Sequence, residues 1–302
     1  MRALTTFITL LGLTLLTACD SPHVDKELQY SNAPAQKLKT TYRLAVHPLH
    51  NPQKLFAAYQ PLVDRINSQL HGIHIELEAS RDYQAYEQKF RNREVELLLP
   101  NPWQTIQAIK VGYHVIAMAG DAEDFKGIFI ARKDSAIKEV ADLEGKVVSY
   151  PSPTALAAAI MPQYYLYMNG ININRDIQNV YVGSQESSIM NVYLGKSAVG
   201  ATWPPPWRSF QKDHPAEATK LKVIWETPSL INNSVMVRDD VPANVREQIQ
   251  NILLTLAQTS RGMAILNGME MANMHTANDD SYNVVRDYIK HFEEVVRPVE
   301  SK

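Results

Sequence analysis

The sequence contains very little cysteine, because Cys19 is the only one among 302 residues. One cysteine can form neither an internal disulfide nor a thiolate metal site, so the core alone must hold the fold together. Long apolar runs are scarce as well. The stretch from Ala3 to Leu16 spans about 14 residues, whereas a membrane-crossing helix needs about 20. A multi-pass membrane protein is therefore excluded.

A concentrated positive charge is also missing. The 30 lysines and arginines are balanced by 32 aspartates and glutamates, which gives a formal net charge of −2. Nucleic-acid binding usually needs a basic face, so no nucleic-acid partner is predicted. The Gly-Xaa-Ser-Xaa-Gly and His-Glu-Xaa-Xaa-His signatures of common hydrolases are absent too. We therefore expect no enzyme, no cofactor and no metal site.

The amino terminus has the anatomy of a secretory signal peptide: a short basic start at Arg2, an apolar run and small residues before a cleavage site. With Cys19 directly after Ala18, it resembles a bacterial lipoprotein signal. This resemblance implies cleavage after Ala18, acylation of Cys19 and a lipid anchor at the periplasmic face of a membrane. Asp20 resembles an inner-membrane retention signal of enteric bacteria. The alternative is a secreted soluble protein with a chance cysteine.

The chain divides into a leader, a tether and two lobes. Residues 1–18 are the predicted signal peptide. Residues 19–40 are predicted to be a flexible tether, since the segment is polar and has no apolar period. The first lobe is predicted at 41–125 and 234–302, and the second at 134–222. Two hinge crossovers, 126–133 and 223–233, would join them.

Strand-like and helix-like segments alternate after the tether, which favours an α/β fold. Strands are predicted at 42–46, 73–77, 95–99, 113–119, 127–131, 147–149, 179–182, 198–202, 223–225 and 234–237. Helices are predicted at 53–70, 83–92, 103–111, 154–169, 186–194, 245–258, 261–266 and 282–295. The run from Trp203 to Trp207 contains three consecutive prolines, so we expect a rigid connection there and not a helix interior.

Seven short motifs occur in the order typical of one family. They are HPLHNP (47–52), YQPLVD (59–64), SRDY (80–83), EVELLLPNP (94–102), RKDSAIK (132–138), ADLEGK (141–146) and PSPT (151–154). With them the chain resembles the substrate-binding proteins of phosphonate, phosphite and phosphate uptake, which are periplasmic components of ABC importers. The resemblance implies a type 2 periplasmic binding protein fold: two lobes, each a mixed sheet flanked by helices, with two crossover strands and the ligand between the lobes.

The residues that follow the strands are candidates for the ligand site, because ligands of open α/β sheets bind beyond the carboxyl ends of strands. Ser152 or Thr154 can cap the helix predicted at 154–169, whose free N–H groups attract anions. An ordinary N-cap without a ligand is the alternative. Asn101 can cap the next helix in the same way, and Trp103 is either a wall of the cleft or a core residue.

The resemblance adds further ligand-binding positions. It implies contacts from Tyr83, Phe125, Gln185, Trp203 and Asn233. Gln185 stands where the family carries a histidine, Asn233 stands where it carries an aspartate, and the run beginning at Trp203 replaces an acidic residue. These departures disfavour an amino-phosphonate, since its ammonium group would lack a counter-ion. They leave a smaller oxyanion, or an organic anion whose aromatic part stacks on Trp203 or Trp207.

Two histidines, His47 and His50, lie in the first cleft loop, where they could contact an anion or form a pH-sensitive latch. The alternative is that both are solvated loop residues. The expected function is capture of a small, anionic ligand for an ABC permease by hinge closure. A membrane sensor kinase or cyclase that reads the same closure is the alternative partner, and an enzyme is the third class considered.

Overall fold

The computed structural model describes residues 40–300, so the predicted leader, Cys19 and the predicted tether up to residue 39 lie outside the described residues, whereas Thr40 belongs to a strand. Eleven strands are present in this part of the chain: β1 (Thr40–Val46), β2 (Ile73–Glu78), β3 (Leu97–Leu99), β4 (Tyr113–Ala119), β5 (Ile128–Arg132), β6 (Val147–Tyr150), β7 (Gln178–Tyr181), β8 (Val199–Thr202), β9 (Leu221–Glu226), β10 (Asn233–Arg238) and β11 (Met274–His275).

Ten α-helices accompany them: α1 (Pro52–Asn67), α2 (Tyr83–Arg91), α3 (Pro102–Ile109), α4 (Met161–Met168), α5 (Gln185–Tyr193), α6 (Pro204–Asp213), α7 (Pro215–Ala218), α8 (Ala243–Leu254), α9 (Ser260–Gly268) and α10 (Asn283–Val295). None of the described helices is both long enough and apolar enough to cross a membrane.

The strands form two sheets, and both are mixed. The first has the order β11-β4-β10-β3-β1-β2, in which β1 runs parallel to β2 and β3, while β10 is antiparallel to β3 and β4. The second has the order β7-β6-β8-β5-β9, with β6 parallel to β7 and β8 and with β5 antiparallel to β8 and β9. The predicted fold class is confirmed.

Each sheet carries its own helices. We call the six-stranded sheet with α1–α3 and α8–α10 the first lobe, and the five-stranded sheet with α4–α7 the second lobe. The chain passes between the sheets after β4 and again after β9, and these two connections lie side by side. The Thr227 amide donates to the Gly127 carbonyl oxygen at 2.9 Å, and the Gly127 amide donates to the Thr227 hydroxyl at 2.9 Å. The residue boundaries of the lobes stay a prediction.

Helix α1 shows how the sequence specifies these elements. The Asn51 side chain accepts from the Lys54 amide at 3.0 Å, and Pro52 occupies the first turn, where no N–H is needed. The apolar residues recur at helical spacing and are buried against the sheet: Leu55, Tyr59, Leu62, Val63 and Ile66.

The helix predicted at 154–169 begins later and differently. Its first turn, Leu156–Ile160, is a π-turn that continues directly into α4, and no side chain caps it. The prediction that Ser152 or Thr154 caps this helix is therefore wrong. Pro162 gives a physical reason for the wider turn, because it has no N–H and its ring would clash with a carbonyl oxygen four residues earlier in a regular α-helix.

The proline run was also misassigned. Helix α6 begins at Pro204, with Trp203 as its N-cap, so all three prolines occupy the first turn. The Trp207 amide is the first in this helix to donate, to the Trp203 carbonyl oxygen at 3.2 Å. A first turn leaves its N–H groups without intrahelical acceptors, so residues that lack an N–H lose nothing there. The sequence pattern also missed α7 and β11.

Candidate functional site

A small cavity lies between the two lobes. The volume open to a water-sized molecule is about 10 Å³, which is room for about one water. Eleven residues line it, and six of them are predicted site residues: Tyr83, Asn101, Phe125, Gln185, Trp203 and Asn233; the others are His47 and Ala155, Leu156, Ala157 and Ala158.

Asn101 follows β3 and begins α3. Its Oδ1 accepts from the Gln104 amide at 3.0 Å, and the Gln104 side chain accepts from the Asn101 amide at 3.1 Å. This reciprocal pair is a capping box, so the predicted cap is confirmed. The Asn101 Nδ2 donates across the cleft to the Thr154 carbonyl oxygen at 3.2 Å. Asn101 therefore fixes a helix start and contacts the opposite lobe.

His47 follows β1 and is only 2 % exposed, so its description as a solvated loop residue is wrong. Its Nδ1 lies 2.9 Å from the Leu99 carbonyl oxygen, and because a carbonyl can only accept, Nδ1 carries the proton. Burial lowers the pKa of His47 to about 4, so the ring is neutral at physiological pH. His50, on the same loop, is half-buried, and burial together with Lys54 lowers its pKa to about 3.

Tyr83 and Gln185 meet across the cleft. The Gln185 Nε2 donates to the Tyr83 hydroxyl oxygen at 3.1 Å, while its Oε1 accepts from the Thr202 hydroxyl at 2.9 Å. Tyr83 is 3 % exposed, and burial raises the pKa of its hydroxyl. It stays protonated, and its hydrogen has no acceptor among residues 40–300, so it is free to donate into the cavity.

Asn233, the first residue of β10, is the most unusual group in the cavity. It is 1 % exposed, yet neither its Nδ2 nor its Oδ1 has a hydrogen-bond partner among the described residues. Burying an amide without partners costs about 1 to 3 kcal/mol per group. Such a cost in a native protein needs an explanation, and a polar ligand in the adjoining cavity supplies one.

The start of the π-turn lines the same cavity as Asn233. The first two amides that donate within this turn are those of Ala159 and Ile160, both to the Ala155 carbonyl oxygen, at 2.8 Å and 3.2 Å. The amides of residues 156–158 have no acceptor within the described chain. A helix start with free N–H groups favours a negative charge.

Three predicted site residues lie outside the cavity lining. Trp103 is 1 % exposed and packs in the core of the first lobe, which is the second of its two predicted alternatives. Ser152 and Thr154 are buried beside the cavity, where their hydroxyl oxygens are 3.1 Å apart. The Thr154 hydroxyl donates to Glu87 Oε1 at 2.6 Å, so in this closed form it bonds the other lobe.

Glu87 is a functional candidate that the sequence did not reveal. It lies on α2 and is 6 % exposed, and it accepts both the Thr154 hydroxyl and, at 3.1 Å, the Gln104 Nε2. Burial raises the pKa of its carboxyl, and these two hydrogen bonds oppose the rise. Glu87 lies four residues after Tyr83 on the same helix, so the two side chains share one face. This spacing from the SRDY motif (80–83) is the only feature of the sequence that could have indicated a role for Glu87.

Aromatic rings close one side of the cavity. Phe125, on the first crossover, packs against Trp203 with ring centroids 5.6 Å apart. Trp207 instead stacks on Phe210 at 5.8 Å, in a separate hydrophobic cluster of the second lobe. Only Trp203 of the two tryptophans can therefore contact a molecule in this cavity.

Ion pairs join the lobes at the edge of the cleft. Arg208 on α6 donates to both carboxylate oxygens of Asp124, at 3.0 Å and 2.6 Å, and to the Glu270 carbonyl oxygen at 2.9 Å. Lys212, one turn further along α6, pairs with the Glu270 carboxylate. Asp124 lies on the first crossover and Glu270 follows α9, so α6 is held to groups outside its own lobe.

Comparisons with known proteins identify the family. A family model described as "ABC transporter, phosphonate, periplasmic substrate-binding protein" matches residues 44–282. The chain belongs to this family. It is 19 % identical over 257 residues to the phosphonates-binding periplasmic protein of Escherichia coli K12, covering 82 % of this chain and 76 % of that protein.

Solved structures show the same fold. A binding protein component of an ABC phosphonate transporter from Pseudomonas aeruginosa matches with a TM-score of 0.78 and 16 % identity, covering 85 % of this chain and 88 % of the other. PhnD1 from Prochlorococcus marinus, in complex with methylphosphonate, matches with a TM-score of 0.75 and 18 % identity, covering 85 % and 100 %. The predicted family, a periplasmic location and the role of a binding protein, not an enzyme, are confirmed.

Proposed function

We propose that the chain captures a small oxyanion of the phosphonate, phosphite or phosphate type between its lobes and delivers it to an ABC importer. The observation that carries this proposal is Asn233, a buried amide with no partner among the described residues that lines the same cavity as residues 156–158, whose N–H groups have no acceptor there. Together with the Tyr83 hydroxyl they offer neutral donors to an anion. Hydrogen bonds to a charged group contribute about 1.5 to 3 kcal/mol each.

The size of the cavity supports the smaller of the two ligand classes. A cavity of about 10 Å³ must widen for any ligand, and a methylphosphonate-sized anion requires less widening than an organic anion with an aromatic part. No side chain in the lining carries a charge at neutral pH, since His47 is neutral. The charge of the ligand is therefore stabilised by dipoles and not by an ion pair.

Calorimetry with methylphosphonate, phosphite and phosphate tests the proposal. Asn233→Leu should abolish binding of whichever anion binds the wild type. The same substitution removes a buried amide that has no partners, so the melting temperature without ligand should stay the same or rise. Asn244→Leu on the exposed side of α8 is the matched control and should leave the affinity unchanged. Failure of all three anions to bind the wild type would overturn the proposed function.

Delivery to an importer is tested in cells. Deletion of the gene should abolish uptake of the anion that binds, and expression of Asn233→Leu should not restore it. Uptake that persists after deletion would overturn the transport role.

We also propose that the mature protein is a lipoprotein held to the periplasmic face of the inner membrane through Cys19. Support comes from the Leu16-Thr17-Ala18-Cys19 run behind an apolar stretch, followed by Asp20. Cys19→Ala should leave the precursor uncleaved and unlabelled by radioactive palmitate. Membrane fractionation of the wild type should place it with inner-membrane markers. Normal processing of Cys19→Ala would contradict the anchor.

A further inference from the structure

The cavity presents hydrogen-bond acceptors as well as donors. Because Nδ1 of His47 donates to Leu99, the remaining ring nitrogen, Nε2, is an acceptor with a free lone pair. It has no partner among residues 40–300. His47 lines the cavity, so Nε2 is the ring atom available to a ligand.

Asn233 adds a second acceptor. Both atoms of its amide lack partners, so whichever way the amide is turned, one oxygen and one NH₂ group need the ligand. The NH₂ group can donate to an anionic oxygen, but the carbonyl oxygen can only accept. His47 follows β1 and Asn233 begins β10, which places both at the same edge of the first sheet, and both line the cavity.

An anion without an O–H group would place its oxygens against these two lone pairs. A buried acceptor that faces another acceptor loses its hydrogen bond and is repelled as well. An oxyanion that carries one O–H satisfies one of these two acceptors and keeps its other oxygens for the helix start.

We propose that His47 and Asn233 make the cavity selective for an oxyanion that carries its own O–H donor, such as the singly protonated form of a phosphonate, over monoanions of the same shape without one. This inference rests on the proposed function, because it names the protonation state of the same ligand.

A titratable group near His47 that changed its charge over the same pH range would imitate this selectivity. The edge of its ring faces Tyr83 on α2, at a centroid distance of 6.3 Å, and burial raises the pKa of that phenol. His50, with a pKa of about 3, interacts electrostatically with His47 and with the two members of the Lys54–Asp213 ion pair. Glu87, also on α2, is the one nearby carboxyl with a raised pKa.

Methanesulfonate is the decisive probe, because it has the shape and single charge of monoprotonated methylphosphonate but no O–H. At a pH below the second pKa of methylphosphonate, calorimetry should show that methylphosphonate binds at least about tenfold more tightly than methanesulfonate. Above that pKa the affinity for methylphosphonate should fall by about tenfold per pH unit. The same slope in Glu87→Gln would exclude Glu87 as its source.

His47→Phe keeps a ring of similar size and removes the acceptor. It should weaken methylphosphonate binding by about tenfold or more, while methanesulfonate binding stays the same or improves because a repelling lone pair is gone, so that the preference is lost. Equal binding of the two anions by the wild type, or an affinity that rises as the second proton leaves, would overturn this inference and leave the proposed function standing. If neither methylphosphonate, phosphite nor phosphate binds, the proposed function falls and the inference with it.

Discussion

At the scale of single residues, the cleft contains groups that form hydrogen bonds to the opposite lobe. Thr154 does so with two atoms, because its hydroxyl donates to Glu87 and its carbonyl oxygen accepts from Asn101. A carboxylate that loses a donor on burial is costly. The pair Thr154–Glu87 therefore stabilises the closed arrangement directly and the ligand only indirectly.

We predict that Thr154→Ala weakens binding of methylphosphonate by about tenfold, because closure would leave Glu87 with one donor fewer. Thr154→Ser retains the hydroxyl and is the control, with an expected change of less than about threefold. Calorimetry gives both affinities, and circular dichroism shows whether the variants fold. Equal losses in Thr154→Ala and Thr154→Ser would contradict a role for the hydroxyl.

Because His47 is buried in its neutral form, we predict that the free energy of unfolding falls in acid. Its pKa is lowered from 6.5 to about 4, so between these values the unfolded chain binds a proton that the folded chain does not. Stability is therefore unaffected by this group above about pH 6.5 and falls as the pH drops towards 4, by about 2 to 3 kcal/mol. Urea unfolding of the wild type and His47→Phe at about pH 7.5 and 4.5 measures the difference. A difference between the two proteins that is the same at both pH values would refute the prediction.

At the scale of elements, the sequence predicted most strands and helices because their apolar periods are regular. Helix α1 and strand β4 lie within a few residues of the predicted bounds. The start of α6 was missed because three prolines were interpreted as excluding a helix, although the first turn accepts them. The π-turn was not predicted, although Pro162, whose missing N–H and ring favour a wider turn, is visible in the sequence.

The candidate site was predictable in part for a similar reason. Positions after strands, such as Asn101, can be found from the order of segments. The burial of a side chain and its hydrogen-bond partners cannot be found in this way. The lack of partners for the Asn233 amide and the hydrogen bond between Thr154 and Glu87 exist only when the lobes meet. His47 was misjudged for the same reason, because its burial depends on α2 and β3, which lie far away in sequence.

Gly127 links a crossover to the π-turn. A Cβ at this position would lie 2.6 Å from the Ala157 carbonyl oxygen and 2.8 Å from Pro162 Cγ, so Gly127→Ala must displace the turn. We expect it to lower the unfolding free energy by about 1 to 3 kcal/mol and to weaken methylphosphonate binding, because the N–H groups of residues 156–158 move with the turn. Thermal unfolding and calorimetry measure the two effects.

Gly268→Ala is the control for that substitution. Its Cβ would have no atom within 4 Å, so stability should be unchanged or slightly higher. An affinity that is the same in Gly127→Ala and the wild type would show that the position of the turn does not affect binding.

At the scale of the whole molecule, the ion pairs of α6 hold the cleft closed from its edge. Arg208 has a side chain 37 % exposed, so its pairs with Asp124 and Glu270 are screened and each contributes about 1 kcal/mol or less. Because several of these pairs join α6 to groups outside its own lobe, together they favour closure, whereas a single surface pair has little effect.

We predict that Arg208→Ala weakens methylphosphonate binding by about three- to tenfold and enlarges the radius of gyration of the ligand-free protein. High salt should imitate both effects in the wild type. Arg132→Ala is the control, since Arg132 pairs with Asp134 within the second lobe. X-ray scattering and calorimetry test the prediction, and equal behaviour of the two variants would reject it.

The side-by-side crossovers have one more consequence. All strands of the second sheet, β5 to β9, come from one uninterrupted stretch of chain, and its two ends are joined by the hydrogen bonds between Gly127 and Thr227. The second lobe is thus an insertion whose entry and exit are neighbours. A module of this kind can be cut out and exchanged for the corresponding segment of a relative, so ligand preference can be redesigned by grafting half of the cleft without rebuilding the other half.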